Sequence, residues 1–425
     1  MAGNFAMETP DLGVGKCTLT DFLDALRGQM LLMSGKVQVP ELTSKEAIRR
    51  PLLVIGKPGI GKTCGIASVI EEVNAQLPPE KHWGFKKILL GQTVVGTLTG
   101  IPVVNPTTGE VVRVQVPDLP NPEKDNEYGV LFLDEITTAD EAQIQPALGL
   151  ADDSRSLGEY TLPENWLVVA AGNGPDCSNF VRLDDMTLTR FIAFDVEYSF
   201  SRDWRSWAHK KGIDELILAF LNFKESKGES MVRVESTDMD TCGKMFANPR
   251  TWTRLSDELK VRAALGNPVG KNELLPFASR IIGAPMATEF AAFAAYRSAV
   301  DYDADKIIAG TERMPDKQIS FEVFHILRQQ LCRRLAKICE ETRDAYGNHP
   351  LSTYQAVANV IRWIIKLSDT SAMDQTFSAI EEIRVSVPYV SDIVEDPDFY
   401  SVCPELETFL SSPAVMAVAM SYSMN

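Results

Sequence analysis

Histidine is scarce in this 425-residue sequence, with four in all, and none lies in an HExxH arrangement. Imidazole-based metal chemistry is therefore not expected. Cysteine is little better represented: seven, at positions 17, 64, 177, 242, 332, 339 and 403, an odd count with no CxxC pair. That pattern argues against a disulfide framework or a zinc site, and it fits a reducing, cytoplasmic setting. No apolar run approaches the roughly 20 residues that cross a bilayer, so no membrane span is expected. The opening "MAGNFAMETPDLGVGK" has neither a basic start nor an apolar core, so no signal peptide is expected either. Basic residues are in deficit too, with 42 Lys and Arg against 58 Asp and Glu and a net charge of −16. Proteins that hold duplex DNA gather Lys and Arg against the phosphates, so nucleic acid is not the expected partner. A protein partner is.

What is present is ordinary globular material, 45% apolar and 24% charged, in a chain too long for one compact core. One stretch is far from ordinary. In "PLLVIGKPGIGKTCGIASVIEEV" (51–73) an apolar strand, Leu52 to Ile55, runs into "GKPGIGKT", and a helical pattern follows from Cys64. Gly56, Lys57, Pro58, Gly59, Ile60, Gly61, Lys62 and Thr63 match G-x-x-x-x-G-K-[ST] in the strand–loop–helix setting that the motif requires. Glycines let backbone N–H groups turn inward around phosphate oxygens, and the helix start adds its partial positive charge. Lys62 is suited to the β- and γ-phosphates, and the Thr63 hydroxyl to Mg²⁺. ATP or ADP with Mg²⁺ is the expected cofactor set, and a bare glycine turn is the weaker reading.

Downstream, "GVLFLDE" (129–135) ends an apolar run in two adjacent carboxylates. Such a run is expected as a central parallel strand buried on both faces. Alone, the two acids could be a solvated strand end. With a phosphate loop upstream, Asp134 is suited to hold Mg²⁺ through water, and Glu135 to act as base or polariser of the attacking water. A further strand, "NWLVVAAGN" (165–173), ends in Asn173, which either caps a turn or orients that water. Arg190 lies just before the strand "FIAFDV", where it either pairs with an acid of its own chain or reaches a neighbour's γ-phosphate; Arg182 is the second candidate. In "ANPRTWTRLSDELK" (247–260), Asn248 and Pro249 read as cap and first turn of a helix. Arg250 and Arg254 then share one face, which is either a solvated basic face or puts Arg250 over the phosphates from a helical lid.

The order of these motifs resembles the AAA+ ATPases, in particular their MoxR-like, helix-2-insert branch, over about residues 20–320. "GKPGIGKT", "GVLFLDEITTAD", "LGEYTLPENWLVVAAGN", "LTRF" and "NPRTW" carry the resemblance, and "GTLTGIPVVNP" (96–106) adds to it. It implies Walker A roles for Gly56 to Thr63 and Walker B roles for Asp134 and Glu135. It implies sensor 1 at Asn173, the arginine finger at Arg190 and sensor 2 at Arg250, although "RLDDMTLTRF" departs from the usual approach to the finger. Also implied are hexameric homo-oligomers with sites between subunits, protein remodelling as the activity, and a von Willebrand A-type protein as partner.

The expected fold class is α/β: a P-loop core with a mostly parallel sheet and a helix-2 β-hairpin insert, then a helical lid and a helical C-terminal extension. Residues 1–50 read as an N-terminal segment with an amphipathic helix at "TDFLDALRGQMLLMS" and a second helix start at "TSKEAIRR"; the resemblance puts this segment beside the adenine. Residues 51–200 form the nucleotide-binding domain, in which "TGIPVVNPTTGEVVRVQV" (99–116) reads as a hairpin. Residues 201–315 form the lid, with Trp204 and Trp207 on one helix face as packing between lid and sheet domain, and 316–425 the last helical region. His325 is expected in a core or at its boundary, and "VEDPDFYSVCPELETFL" (394–410) as an acidic turn before a last helix. Two rivals remain beside a ring-forming ATP hydrolase. A nucleotide-gated assembly scaffold with slow hydrolysis is disfavoured by the intact Glu135, and a DNA-associated motor by the acidic charge.

Overall fold

Alternate residues of the strand Leu52–Gly56 face opposite cores, and both cores are apolar. The computed structural model describes residues 13–40, 48–114, 119–174, 177, 180–229, 245–314, 319–344, 347–367 and 373–416. These residues form two compact units, one reaching to Ser199 and the other beginning at Phe200.

In the first unit the strands are β1 (Lys16–Cys17), β2 (Leu52–Gly56), β3 (Trp83–Leu89), β4 (Ile101–Val104), β5 (Val111–Val114), β6 (Tyr128–Asp134), β7 (Ser156–Leu157), β8 (Tyr160–Thr161), β9 (Trp166–Gly172) and β10 (Ile192–Val196). Six of them make one sheet in the order β1-β10-β2-β9-β6-β3, and every pair in it is parallel. Parallel strands must be covered on both faces, which explains the unbroken apolar runs of β2, β6 and β9. Leu52 and Val54 face a core shared with Phe22, Leu26 and Met30 of the helix Leu19–Met33 and with Ile66, Val69 and Val73 of the helix Lys62–Asn74. Leu53 and Ile55 face the other core, with Ile144 and Leu148 of the helix Glu141–Ala151. Thr18 and Asp21 cap the first of these helices reciprocally. Its expected successor at "TSKEAIRR" falls mainly outside the described residues.

Two elements differ from the sequence reading. β3 has no strand signature in the sequence: in "WGFKKIL" two lysines interrupt the apolar pattern, and as the outer strand β3 needs less apolar surface than its neighbours. The helix after the phosphate loop starts at Lys62 rather than Cys64. β4 and β5 pair antiparallel around the turn at 105–110, so the insert forms the expected hairpin, with Ile101, Val103, Val104 and Val111 exposed.

The second unit is helical. Leu274–Ile282 and Ala284–Ala294 pack together as a helix pair. One core extends from Tyr302 to Val415 and takes in the helices Phe321–Thr342, Leu351–Leu367 and Met373–Ser386. Trp204 is buried and stacks on Trp207, with centroids 6.0 Å apart. A buried polar knot ties three helices: Glu382 accepts hydrogen bonds from Asn222 Nδ2 (2.9 Å), Gln329 Nε2 (2.5 Å) and Arg328 Nη2 (2.6 Å). Burial alone would raise the Glu382 carboxyl, yet Arg328 and Arg205 hold it below the ordinary value. His325 beside them is a core residue, pushed well below its usual pKa by burial first and by the Arg328 charge second. At 394–410, in place of a simple turn, Pro397 and Pro404 each open a short helix, Pro397–Val402 and Pro404–Leu410. Proline suits a first turn, where its missing N–H is not needed.

Candidate functional site

All six strands of the main sheet run the same way, so their carboxyl ends lie along one edge. That edge is where open α/β sheets hold ligands. β2 delivers the glycine loop there, β6 delivers Asp134 and Glu135, and β9 delivers Asn173. The register fixes their neighbourhood: Ile55 pairs with Gly172, Leu133 with Ala170, and Leu89 with Asp134.

Gly59 (φ +79°) and Gly61 (φ +105°) adopt left-handed backbone that a side chain would resist, and this lets the loop wrap inward. Gly61 is the N-cap of the helix Lys62–Asn74, whose first N–H groups are the natural cradle for an anion. Lys62 is buried and folds back over the loop, its Nζ donating to the carbonyls of Gly56 (2.6 Å) and Lys57 (3.2 Å). The ammonium is thus held within the loop. Cys64, the next residue but one, is exposed.

Thr63 and Asp134 come together as the sequence predicts. The Thr63 hydroxyl lies 3.5 Å from Asp134 Oδ2. A hydroxyl and a carboxylate are hard oxygen donors, the chemistry that suits Mg²⁺ held by one or two protein groups together with nucleotide phosphates. Among the described residues no cluster of three or more His, Cys, Asp or Glu could hold a metal ion. Asp134 Oδ1 accepts the backbone N–H of Glu135 at 2.9 Å. Glu135 itself has φ +60°, a left-handed backbone rare for a side chain of this kind. Such strain is sustained only where surrounding contacts fix it, and it concentrates at functional sites. Here the turn swings Glu135 out of the strand direction while Asp134 stays in line with it.

Two residues unmentioned in the sequence reading complete this edge. Thr137, fully buried, receives the backbone N–H of Asn173 on its Oγ1 (2.8 Å) and lies 3.2 Å from the Asn173 carbonyl. It fastens the end of β9 to the acidic turn, so Asn173 is placed by a residue three positions from Asp134. The approach needs Gly172, since a Cβ there would come within 2.5 Å of Thr137 Cγ2. The other is Lys87 on β3, whose Nζ lies 2.6 Å from Asp134 Oδ2. Neither belongs to a local motif; only the strand pairing reveals them.

Arg190 is not brought to this edge. It precedes β10, hence lies at the amino edge of the sheet, one strand length or roughly 16 Å from the carboxyl edge at about 3.3 Å per residue. Its Nε is paired with Asp152 of its own chain, just past the helix Glu141–Ala151. Arg182 is exposed on the segment after β9. Arg250 and Arg254 belong to the second unit, exposed on one face of the helix Pro249–Ala264, which Asn248 and Thr251 cap reciprocally. Among the described residues no helix is long and apolar enough to cross a membrane.

No protein-family model matches the chain, and no curated protein matches it. Solved structures do. A protein of Cytophaga hutchinsonii described as an ATPase is 15% identical over 62% of this chain and 87% of its own, with a TM-score of 0.27. PCH-2 of C. elegans is 11% identical, over 66% of this chain and 69% of that one, at 0.28. Hsp104 of S. cerevisiae, solved with ADP, is 15% identical over 59% of this chain but only 46% of its own, at 0.34. At scores this low, the P-loop α/β fold with its helical C-terminal region is read from the strand order and loop geometry of this chain alone.

Proposed function

We propose that the chain is an ATP hydrolase of the AAA+ type, MoxR-like in its branch, that works as a ring or spiral of identical subunits and remodels or loads a protein partner. One observation carries the hydrolytic part: the glycine loop with Lys62 and the Asp134–Glu135 pair meet at one edge of the sheet, with Thr63 and Asp134 in reach of one another. On this reading Lys62 holds the β- and γ-phosphates. Thr63 and Asp134 hold Mg²⁺, which when bound would neutralise charge on the transferred phosphoryl group. Glu135 takes the proton of the attacking water, and Asn173, set in place by Thr137, orients that water.

Arg190 is the trans-acting finger in this proposal. Its place at the amino edge, away from its own phosphate loop, favours a neighbour's γ-phosphate as target, and Asp152 then holds it in the isolated subunit. Arg250 acts as sensor 2 from a lid within 201–315, with 316–425 as a further helical region. A von Willebrand A-type protein is the proposed partner, and the cytoplasm the proposed setting. The test of the hydrolytic part is Glu135→Gln. ATP turnover should fall by at least about 100-fold, the usual size of a general-base effect, while nucleotide binding persists. Unchanged turnover would remove Glu135 from the mechanism, and tight ATP binding with negligible turnover already in the unmutated protein would favour a nucleotide-gated scaffold.

A further inference from the structure

The residue that Asp134 contacts most closely is a cation of its own chain. Lys87 Nζ is 2.6 Å from Asp134 Oδ2, whereas Thr63 Oγ1 is 3.5 Å from the same oxygen. The other oxygen, Oδ1, is taken by the Glu135 N–H. The Asp134 oxygen that lies toward Thr63, where a divalent cation shared by the two would sit, is thus the one that the ammonium holds.

The placement follows from the sheet. Lys87 pairs in register with Phe132, two residues before Asp134 and on the same face. Its ammonium sits 5.7 Å from the Phe132 ring centroid and leans along the strand to the carboxylate. Lys86, on the opposite face of β3, pairs with Asp125 at 3.0 Å instead. The Lys87 side chain is 34% exposed and that of Asp134 15%, so the pair is semi-buried at the rim of the site.

We propose that Lys87 is a built-in counter-ion of Asp134 that competes with the divalent cation, so that the ammonium must swing off the carboxylate before Mg²⁺ is held there. This rests on the reading of the site as a Mg²⁺–nucleotide site and adds its regulation. The nucleotide loop is then ready for phosphate at any time, while the metal position opens only against the Lys87 charge. The free Mg²⁺ level needed for metal-assisted nucleotide binding is set by this residue.

The test is a Mg²⁺ titration of the full-length protein with a fluorescent ATP analogue, read by anisotropy and by thermal unfolding, with an EDTA control. In Lys87→Met and Lys87→Gln the half-saturating Mg²⁺ should fall by about tenfold, because a unit charge beside the ion is gone. Lys87→Arg, which keeps the charge, should retain the wild-type requirement. Lys86→Met, which makes the same change of net charge, should not shift it. An unchanged or higher Mg²⁺ requirement in the Lys87→Met and Lys87→Gln variants, or an equal shift in Lys86→Met, overturns the proposal while leaving the nucleotide site intact. Should the wild-type protein bind no nucleotide at any Mg²⁺ level, the site reading itself fails and this inference with it.

Discussion

In the proposed mechanism Glu135 joins the chemistry and the backbone in one residue. Its left-handed conformation costs about 1 kcal/mol or more for a residue with a long side chain, and the turn Asp134–Thr138 sustains it. Thr138 donates its hydroxyl and its backbone N–H to the Glu135 carbonyl, at 2.9 and 3.0 Å. Asparagine adopts this conformation far more readily and cannot serve as the base. Glu135→Asn should therefore raise the melting temperature, by the equivalent of about 1 kcal/mol, while turnover is lost. A calorimetric scan checks it, and a variant that melts lower than wild type would mean that the backbone there is unstrained. At this scale the sequence was largely legible. Lys62, Thr63, Asp134 and Glu135 sit in contiguous stretches whose chemistry depends on immediate neighbours. Lys87 and Thr137 were not, because their roles arise from contacts between strands and loops distant in the chain.

Among the elements, the central strands announced themselves by burial. β2, β6 and β9 are apolar without interruption because both of their faces are covered. β1 has two residues and β3 carries two lysines, so neither leaves such a pattern, although β3 delivers Lys87. The hairpin β4–β5 was legible from the turn between its two β-branched runs. The junction between β9 and the acidic turn can be tested directly. A methyl group at Gly172 would collide with Thr137 Cγ2 and Oγ1, at 2.5 and 2.8 Å. Gly172→Ala should destabilise the first unit by about 2 kcal/mol, typical of overpacking, and displace Asn173 from its Thr137 anchor. Urea unfolding and turnover measured together would show both losses. Wild-type values for both would mean that the strand end yields without disturbing the site.

For the whole molecule, the α/β-then-helical order was legible from the change of period near residue 200, which is also where the two compact units divide. What the period did not reveal is the single apolar core running from Tyr302 to Val415, since interhelical packing leaves no local signature. Nor does sequence spacing show where the arginines meet their partners. Arg190 lies at the sheet edge opposite the phosphate loop and is paired with Asp152. In the proposed mechanism this arginine serves the site of a neighbouring subunit, which would couple catalysis to assembly. The direct measurement is ATP turnover per subunit, with Mg²⁺, across a wide protein concentration series for wild type and Arg190→Ala. Catalysis in trans predicts a specific rate that climbs with concentration in the wild type and stays low throughout in Arg190→Ala. A rate per subunit that is independent of concentration, and equal in the two proteins, would contradict it.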